Sequence, residues 1–306
     1  DFTKSACDAS TCESHEKGIY ETTDENNQAT YYYRGSVENN YVKFAGYYWR
    51  IIRINGNGSI RMIYDGTSAH ANGEANTDRY LSGATFSVGY NDNAYVGYMY
   101  TNGQIHGFGT SSTFKQINDN FYQNNLLNFA SAIDTSIGFC GDRAPSTSQS
   151  NVGIGTETTF YKSYFRVSKS IPLLVCENTS DYYTVTSAST GNKALTYPIG
   201  LITADEAMLA GYNGGALNVQ VFSTSLASNN YLQSGNHFFT MTPIGGFVNE
   251  MDNVFSANVF YIGQSGVLAL APTGNPYGTY LRPVINLSSN VKITGNGTKN
   301  NPYEIS

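Results

Sequence analysis

The amino-acid sequence predicts a mixed α+β domain in which antiparallel strands surround a few short helices. Two apolar runs separated by Asn55-Gly56-Asn57-Gly58 predict a β-hairpin in the first quarter of the chain. Helical periodicity is confined to the middle of the chain, and the sequence after residue 230 consists of short apolar runs broken by loops. Strands and helices segregated in this way are typical of the α+β class.

The clearest local signal is the stretch YVKFAGYYWRIIRINGNGSIRMIYDG at residues 41–66. Its Asn-Gly pairs supply the positive φ that tight hairpin turns require. Residues 49–54 are apolar on both faces, so we predict a central strand there and a structural role for Trp49. After the turn, Ile60, Met62 and Tyr64 alternate with residues 61, 63 and 65, which predicts one buried face.

Residues 111–133 contain the strongest helical pattern. Phe114, Ile117 and Phe121 recur at helical spacing, and either Ser111 or Ser112 is placed to cap the first turn. The Asn pair at 124–125 predicts a kink or a division of this helix into two.

A second, shorter helix is predicted to begin after Thr203, which forms a capping box with Glu206, and to end at Gly211. Between the helices, SIPLLVCEN at residues 170–178 is predicted to be a second core strand. The first 28 residues are polar and charged, so we predict a lead-in at residues 1–28 and a single domain at residues 29–306.

Composition favours an extracellular protein and excludes some functions. The chain of 306 residues has 17 basic and 23 acidic residues, a net charge of -6, which argues against a nucleic-acid surface. Its 25 tyrosines, with many Gly, Asn and Ser, resemble the amino-acid composition of recognition surfaces. Tyr and Thr also favour strands, however, which explains many of them without a binding role. The chain has no apolar run of about 20 residues and begins without Met, so we expect a processed or truncated cell-surface product whose anchor lies outside this sequence.

The four cysteines predict two disulfides in an oxidising compartment. Cys7 and Cys12 form a close pair, and Cys140 and Cys176 form a distant one. The spacing CDASTC differs from a redox or zinc CxxC motif, and the four histidines are scattered singly. We therefore expect no metal centre built on these residues.

Motifs for catalysis are missing from the sequence. It contains no GxSxG, HExxH, P-loop or dinucleotide fingerprint. Asp and Glu cluster loosely, but a glycosidase needs two carboxylates facing each other across a cleft, and Asp205-Glu206 is better explained by helix capping. NEMDN at residues 249–253 has oxygens suited to Ca²⁺ but lacks the alternating ligand positions and the Gly of an EF-hand loop. A solvated loop is therefore favoured, and no cofactor is expected.

Arg282 stands alone in a short apolar strand, immediately before Pro283. A buried Arg must be paired and fully hydrogen-bonded. We therefore predict a structural ion pair that fixes the final strand, in preference to a contact with a ligand.

A series of segments resembles a large group of surface proteins from gut Firmicutes and wall-less relatives. In order, the segments are TYYYRGSVENNYVKFAGYYWRIIRINGNGSIRMIYDG, DNAYVGYMY, IGFCGDR, NKALTYPIGLITADEAMLAGY, FFTMTP and YLRPVINLSSNVKITGNGTKNNPYEI. These relatives typically carry an N-terminal membrane or prepilin-like segment. The resemblance covers the chain from about residue 17.

The resemblance implies a C-type-lectin-like fold, in the branch that includes formylglycine-generating enzymes and retroelement-diversified binding proteins. It also implies a structural role for Arg282, because YLRPVINL is similar to the final strand of that branch. Phe238-Phe239 stands where a Trp-containing aromatic pair is common, the oxidase cysteine pair is missing, and the sugar-binding motifs of calcium-dependent lectins are absent. The resemblance therefore implies neither oxidase activity nor calcium-dependent sugar binding.

We predict a non-enzymatic adhesion domain, displayed on a bacterial surface or pilus, that binds a host or microbial glycan or a surface protein. Its binding face is predicted on loops of the C-terminal third, where amides and aromatic rings are concentrated. A structural, pilin-like subunit of a surface filament is the alternative, and a glycosidase-like enzyme is a distant one. The predicted ligand-binding residues are Asn236, His237, Phe247, Asn249, Asn253, Phe255, Asn258, Asn275, Tyr277 and Tyr280.

Overall fold

The computed structural model describes residues 4–5, 16–81, 83–212, 229–249, 252–263, 268–275 and 279–305. The helices are α1 (Thr113–Phe121), α2 (Lys162–Lys169) and α3 (Ala204–Leu209). The strands are β1 (Gly18–Thr23), β2 (Ala29–Arg34), β3 (Tyr41–Phe44), β4 (Tyr47–Ile54), β5 (Ile60–Gly66), β6 (Met99–Tyr100), β7 (Thr110–Ser111), β8 (Phe139–Cys140), β9 (Thr159–Phe160), β10 (Tyr182–Tyr183), β11 (His237–Val248), β12 (Phe255–Ile262), β13 (Leu268–Pro272), β14 (Thr279–Tyr280), β15 (Val284–Leu287), β16 (Ile293–Thr294) and β17 (Tyr303–Ile305). This arrangement confirms the α+β class.

The main sheet is organised around β4, as the sequence predicts. Strands β2 and β3 pair with different halves of one edge of β4, and β5 pairs with the opposite edge. The sheet continues from β2 to β1, from β3 to β17 and β16, and from β5 to β15. The β4–β5 hairpin closes at residues 55–58, where Gly58 has a φ of 82°. Trp49 is fully buried in β4, and its indole N–H donates to the carbonyl of Phe44. The predicted structural role of Trp49 agrees with these contacts.

A second sheet, built from the C-terminal third, has the order β13-β12-β11-β14, and β9 pairs with the end of β11. Phe239 of this sheet packs edge-on against Phe86 and against Phe114 of α1. The same apolar cluster continues through Trp49 and Tyr64 of the main sheet. One shared core therefore holds the β11–β12 hairpin in place.

The helical region confirms three predictions. Ser112 caps α1 by accepting a hydrogen bond from the Lys115 N–H. The helix then changes to a π-helix over Tyr122–Leu126 and a 3-10 helix over Leu127–Ala132, so the Asn pair does divide it. The predicted capping box is present as well, because Thr203 and Glu206 exchange side-chain and backbone hydrogen bonds.

The prediction of one buried face for β5 is wrong, because both faces are buried. Residues 61–66 are all buried, including Arg61 and Asp65. Arg61 forms an ion pair with Glu206 at 2.5 Å, and Asp65 pairs with Arg79 at 2.7 Å. Charged side chains can occupy the second face because each is paired with an oppositely charged side chain.

The prediction of a core strand at residues 170–178 is also wrong. The segment belongs to no sheet, and Pro172 within it has no N–H for a ladder. Ile171, Leu173 and Val175 point outward, with 47%, 38% and 38% of their surface exposed, whereas Leu174 is buried. The apolar run is therefore a surface strap with a single inward anchor, and we call residues 171–175 the strap.

The boundary of the predicted lead-in needs a correction. Strand β1 lies within residues 1–28 but pairs with β2 along its whole length, from Gly18 to Thr23. Tyr20 stacks on Tyr32 at 5.7 Å and is buried. The packed domain therefore includes β1, in which Tyr20 faces inward and the neighbouring Glu21 is exposed.

Candidate ligand-binding site

The β11–β12 hairpin separates most of the predicted ligand-binding residues into two groups. Phe238 pairs with Ile262 at one end, which we call the base, and Val248 pairs with Phe255 at the other, which we call the tip. At about 3.3 Å per residue, Phe238 and Phe247 lie about 30 Å apart. The predicted residues therefore do not converge on one face.

Asn236, His237 and Tyr280 come together at the base. His237 pairs with Thr279 of β14, and its ring meets Tyr261 edge-on at 5.0 Å. Its Nδ1 is buried and has no hydrogen-bond partner among the described residues, and burial lowers the pKa of the imidazole. Tyr280 packs its ring against Tyr80 at 4.7 Å, so it serves partly as core.

Phe247, Asn249, Asn253 and Phe255 come together at the tip. The ring of Phe247 stacks on Phe160 of β9 at 5.4 Å. Asn253 has a φ of 56°, a left-handed conformation that Asn tolerates, and its N–H donates to the carbonyl of Asn249. These contacts fix the backbone of the turn, and the side chain of Asn253 is exposed.

Asn258 is a correction to the predicted set. Only 2% of its surface is exposed, and its side-chain amide donates to the carbonyl of Ser256 at 2.7 Å. It faces inward in β12, so it is not available to a ligand. Tyr277, Cys7 and Cys12 lie outside the described residues.

Two exposed residues beside β12, near the tip, have no counterpart in the prediction. Val88 is 67% exposed and Tyr90 is 42% exposed. The carbonyl of Tyr90 accepts from the Ala257 N–H at 2.7 Å, and Thr273 donates its hydroxyl to the carbonyl of Gly89 at 2.6 Å. Residues 87–90 thus lie along β12 and beside the start of the loop at residue 273.

Two glycines near the tip allow aromatic rings to approach the backbone closely. A Cβ on Gly246 would lie 2.5 Å from the ring of Phe255 and 2.1 Å from Oδ1 of Asn93, and one on Gly274 would lie 2.8 Å from the ring of Tyr90. Only Gly permits these rings to sit directly on the backbone. The backbone around the tip is therefore shaped to hold two aromatic rings.

We call this region the hairpin-tip surface. It combines exposed apolar and aromatic side chains with amides that offer both donors and acceptors. Val248 and Val254 add to its apolar part, with 44% and 43% of their surface exposed. Its members are Val88, Tyr90, Val248, Asn249, Asn253, Val254, Phe255 and Asn275.

A cluster of charged residues surrounds a small cavity elsewhere in the domain. The cavity measures about 10 Å³, which is room for a single water molecule. Arg166 donates to Asp142 and, at 3.1 Å from both Nε and Nη2, to Asp205. The cavity is lined by Glu25, Arg61, Cys140, Asp142, Arg166, Leu173, Leu174, Val175, Thr203, Asp205 and Glu206.

Two carboxylates beside this cavity have pKa values that are shifted in opposite directions. Burial raises the pKa of Asp142 to about 7, an effect that Arg166 opposes and Asp205 reinforces. Burial also acts against ionised Glu206, but Arg61 and Arg53 lower its pKa overall. Asp142 and Asp205 thus share one guanidinium, whereas Glu206 lies between two. We call the residues around this cavity the ionic cluster.

Arg282 lies in a separate ionic network, away from both regions. Its Nη2 donates to Asp65 at 2.7 Å, and its other nitrogens donate to the carbonyls of Tyr64 and Leu232. Burial lowers the pKa of Arg282 to about 10, so it stays charged at neutral pH. The predicted ion pair is present, and it ties the segment before β15 to β5.

The disulfide between Cys140 and Cys176 is present, with a Cα–Cα distance of 5.5 Å. Across the described residues, no three His, Cys, Asp or Glu side chains form a group that suits a metal ion. In the same part of the chain, every helix is too short or too polar to cross a membrane.

No family model matches this chain, and neither a curated protein nor a solved structure matches it. The α+β class therefore stands on the architecture alone. The C-type-lectin-like fold and the kinship with bacterial surface proteins remain predictions from the sequence.

Proposed function

We propose that this protein is a non-enzymatic, extracellular binding domain that engages a glycan or a protein surface through the hairpin-tip surface. The observation that carries the proposal is the exposure of Val88, Tyr90, Val248 and Val254 around one end of a rigid hairpin. Grouped apolar side chains with a polar border are typical of interaction sites. A tyrosine ring beside amide groups suits both the apolar faces and the hydroxyl groups of sugars.

The ionic cluster supports binding over catalysis as the function. It holds the carboxylate pair, Asp142 and Asp205, that a hydrolase would need, but its cavity has room for about one water molecule. Sites for small organic ligands measure roughly 300–1,000 Å³. These carboxylates therefore have no space for a sugar ring.

An extracellular setting fits the chemistry of the cysteines. Disulfides persist in oxidising compartments, and the bond between Cys140 and Cys176 ties the end of the strap to β8. We infer display at a cell surface, where a binding domain meets glycans and proteins of other cells.

The direct test is a screen of the purified protein on a glycan array and on immobilised mucin, with light scattering to record its mass. The proposal expects retention on at least one of these supports by a monomeric protein, with loss of retention in Tyr90→Ala. Blank screens together with concentration-dependent filaments would favour the structural subunit instead. Turnover of a glycoside substrate would overturn the non-enzymatic assignment.

A further inference from the structure

The ionic cluster contains more buried negative charge than positive charge. It contains four carboxylates, those of Glu25, Asp142, Asp205 and Glu206, which pair with three guanidinium groups: those of Arg61 and Arg166 within the cluster and that of Arg53 beside it. Arg53 and Arg61 pair with Glu25 and Glu206, at distances of 2.5–3.0 Å. The excess of one negative charge therefore falls on Asp142 and Asp205.

Other charged groups near Asp142 do not relieve this excess. Asp181, on the 3-10 helix at Thr179–Asp181, adds negative charge but is already paired with Arg143 at 2.6 Å and with His106 at 2.9 Å. The side chains of Asp142 and Asp205 are only 5% and 3% exposed. Bulk water therefore cannot reach a second ionised carboxylate without a change in the surrounding structure.

The strap is the outer wall of the cavity beside this carboxylate pair. The Leu173 N–H donates to Oδ1 of Asp205 at 2.9 Å, and the Ile171 N–H donates to the carbonyl of Arg166 at 3.0 Å. Leu174 packs into a small apolar cluster with Tyr20, and Cys176 closes the disulfide just after the strap. The strap is thus fixed at both ends, and its middle depends on Asp205 and Leu174.

We propose that Asp142, Arg166 and Asp205 form a proton-dependent clamp that holds the strap against the domain. A proton on Asp142 balances the ionic cluster and keeps the cavity closed. When that proton is lost, the excess charge draws water towards Asp142, and the strap, which lines the cavity and has Leu173 and Val175 exposed to solvent, moves outward. The pKa of Asp142, which burial raises to about 7, puts this transition near neutral pH.

Two measurements test the clamp in the intact protein. Infrared difference spectra report the carbonyl stretch of a protonated carboxylic acid, and hydrogen exchange followed by mass spectrometry reports protection of the strap. In the wild type we expect a protonated carboxyl at about pH 5 that titrates away near pH 7. Above this transition, strap exchange, corrected for its intrinsic pH dependence, should accelerate by up to roughly tenfold per pH unit, as the loss of one proton requires.

Asp142→Asn imitates the protonated carboxyl and tolerates the left-handed backbone, because the φ of residue 142 is 51°. We expect this variant to lose the infrared band and to keep the strap protected at every pH. Asp252→Asn, which changes an exposed carboxylate at the hairpin tip, should behave like the wild type. A wild type without a protonated carboxyl, or one whose strap exchange ignores pH, would overturn the proposal, as would a band that survives in Asp142→Asn.

Asp205→Asn keeps the proposal testable if Asp142→Asn does not fold. With one carboxylate left for Arg166, the excess negative charge is gone and Asp142 no longer needs its proton, so the infrared band should disappear and the pH dependence of strap exchange should flatten. Persistence of both features in a folded Asp205→Asn protein would refute the clamp.

Discussion

The hairpin-tip surface and the ionic cluster divide the chemistry of this molecule between them. The ionic cluster holds the acids and the guanidiniums, but its cavity admits about one water molecule. The hairpin-tip surface has no comparable group of acids among its described members, yet its valines and Tyr90 are open to solvent. The acids and guanidiniums of the ionic cluster are therefore buried, whereas the apolar side chains of the hairpin-tip surface are exposed.

This contrast teaches that residue type alone does not reveal a site, because accessibility decides what a group can do. Buried ion pairs fix elements relative to each other, as Arg166 does for α2 and α3. Exposed rings on a fixed backbone are available to another molecule at little entropic cost. Variants in the ionic cluster should therefore change stability without changing binding, and variants in the hairpin-tip surface should do the reverse.

The largest effect is expected for Arg166→Ala. It leaves Asp142 and Asp205 buried side by side without their cation, which costs about 3–5 kcal/mol in the free energy of unfolding. Urea denaturation measures this loss. The control is Lys162→Ala on the same helix, whose exposed ion pair with Glu177 is worth less than about 1 kcal/mol. Equal losses in both variants would mean that the ionic cluster is not a stabilising feature.

Arg282→Ala comes next, with an expected loss of about 3 kcal/mol. The substitution frees the carbonyls of Tyr64 and Leu232 and removes one of the partners of Asp65. Thermal and urea unfolding measure the change, and mucin retention by the folded protein should stay at the wild-type level. A folded variant that loses retention but keeps its stability would show that Arg282 contacts the ligand.

Asn275→Ala should have a moderate effect on binding. The amide side chain lies at the border of the hairpin-tip surface, where one hydrogen bond to a ligand is worth about 1 kcal/mol, or a roughly fivefold change in Kd. Titration against immobilised mucin measures the change. The matched control is Asn192→Ala, an amide in a loop beside β10, which should leave Kd unchanged. A fall in retention for both variants would point to a general effect on folding.

The smallest expected effect concerns acid stability. The hydrogen bonds from His70 and from the Ala71 N–H lower the pKa of Glu74 from its ordinary 4.5 to about 2. A carboxylate with a lowered pKa stabilises the folded state above its unfolded pKa, and this contribution is lost as the pH falls from about 4.5 to 2. Because Glu74 is partly exposed, the contribution is below about 1 kcal/mol.

Acid denaturation of the wild type and of Glu74→Gln measures this difference. The two proteins should differ in stability near neutral pH and converge as the pH approaches 2. A constant difference across that window would assign the effect to packing instead of to the charge of Glu74.

Local rules predicted much of the fold. Asn-Gly chemistry placed the β4–β5 turn, and the spacing of Thr203 and Glu206 placed the start of α3. The burial cost of a guanidinium predicted the ion pair of Arg282 without naming its partner, Asp65. These predictions hold because each depends on a few neighbouring residues or on a penalty that applies in any fold.

Long-range features escaped prediction for a physical reason. The strap reads as a strand because its apolar residues are contiguous, and only the surrounding structure decides that three of them face solvent. Val88 and Tyr90 join the hairpin-tip surface through backbone contacts to residues far along the chain, for which the sequence carries no local signal. The meeting of Asp142 with Asp205 likewise depends on the packing of α2 against α3.

The most direct test of the central claim compares two exposed aromatic residues with the same exposure. Tyr90 in the hairpin-tip surface and Phe129 in the helical region are each 42% exposed. We predict that Tyr90→Ala weakens retention on immobilised mucin by at least roughly tenfold with an unchanged melting temperature, whereas Phe129→Ala binds like the wild type. Unchanged retention in Tyr90→Ala, or an equal loss in both variants, would contradict a binding site at the hairpin tip.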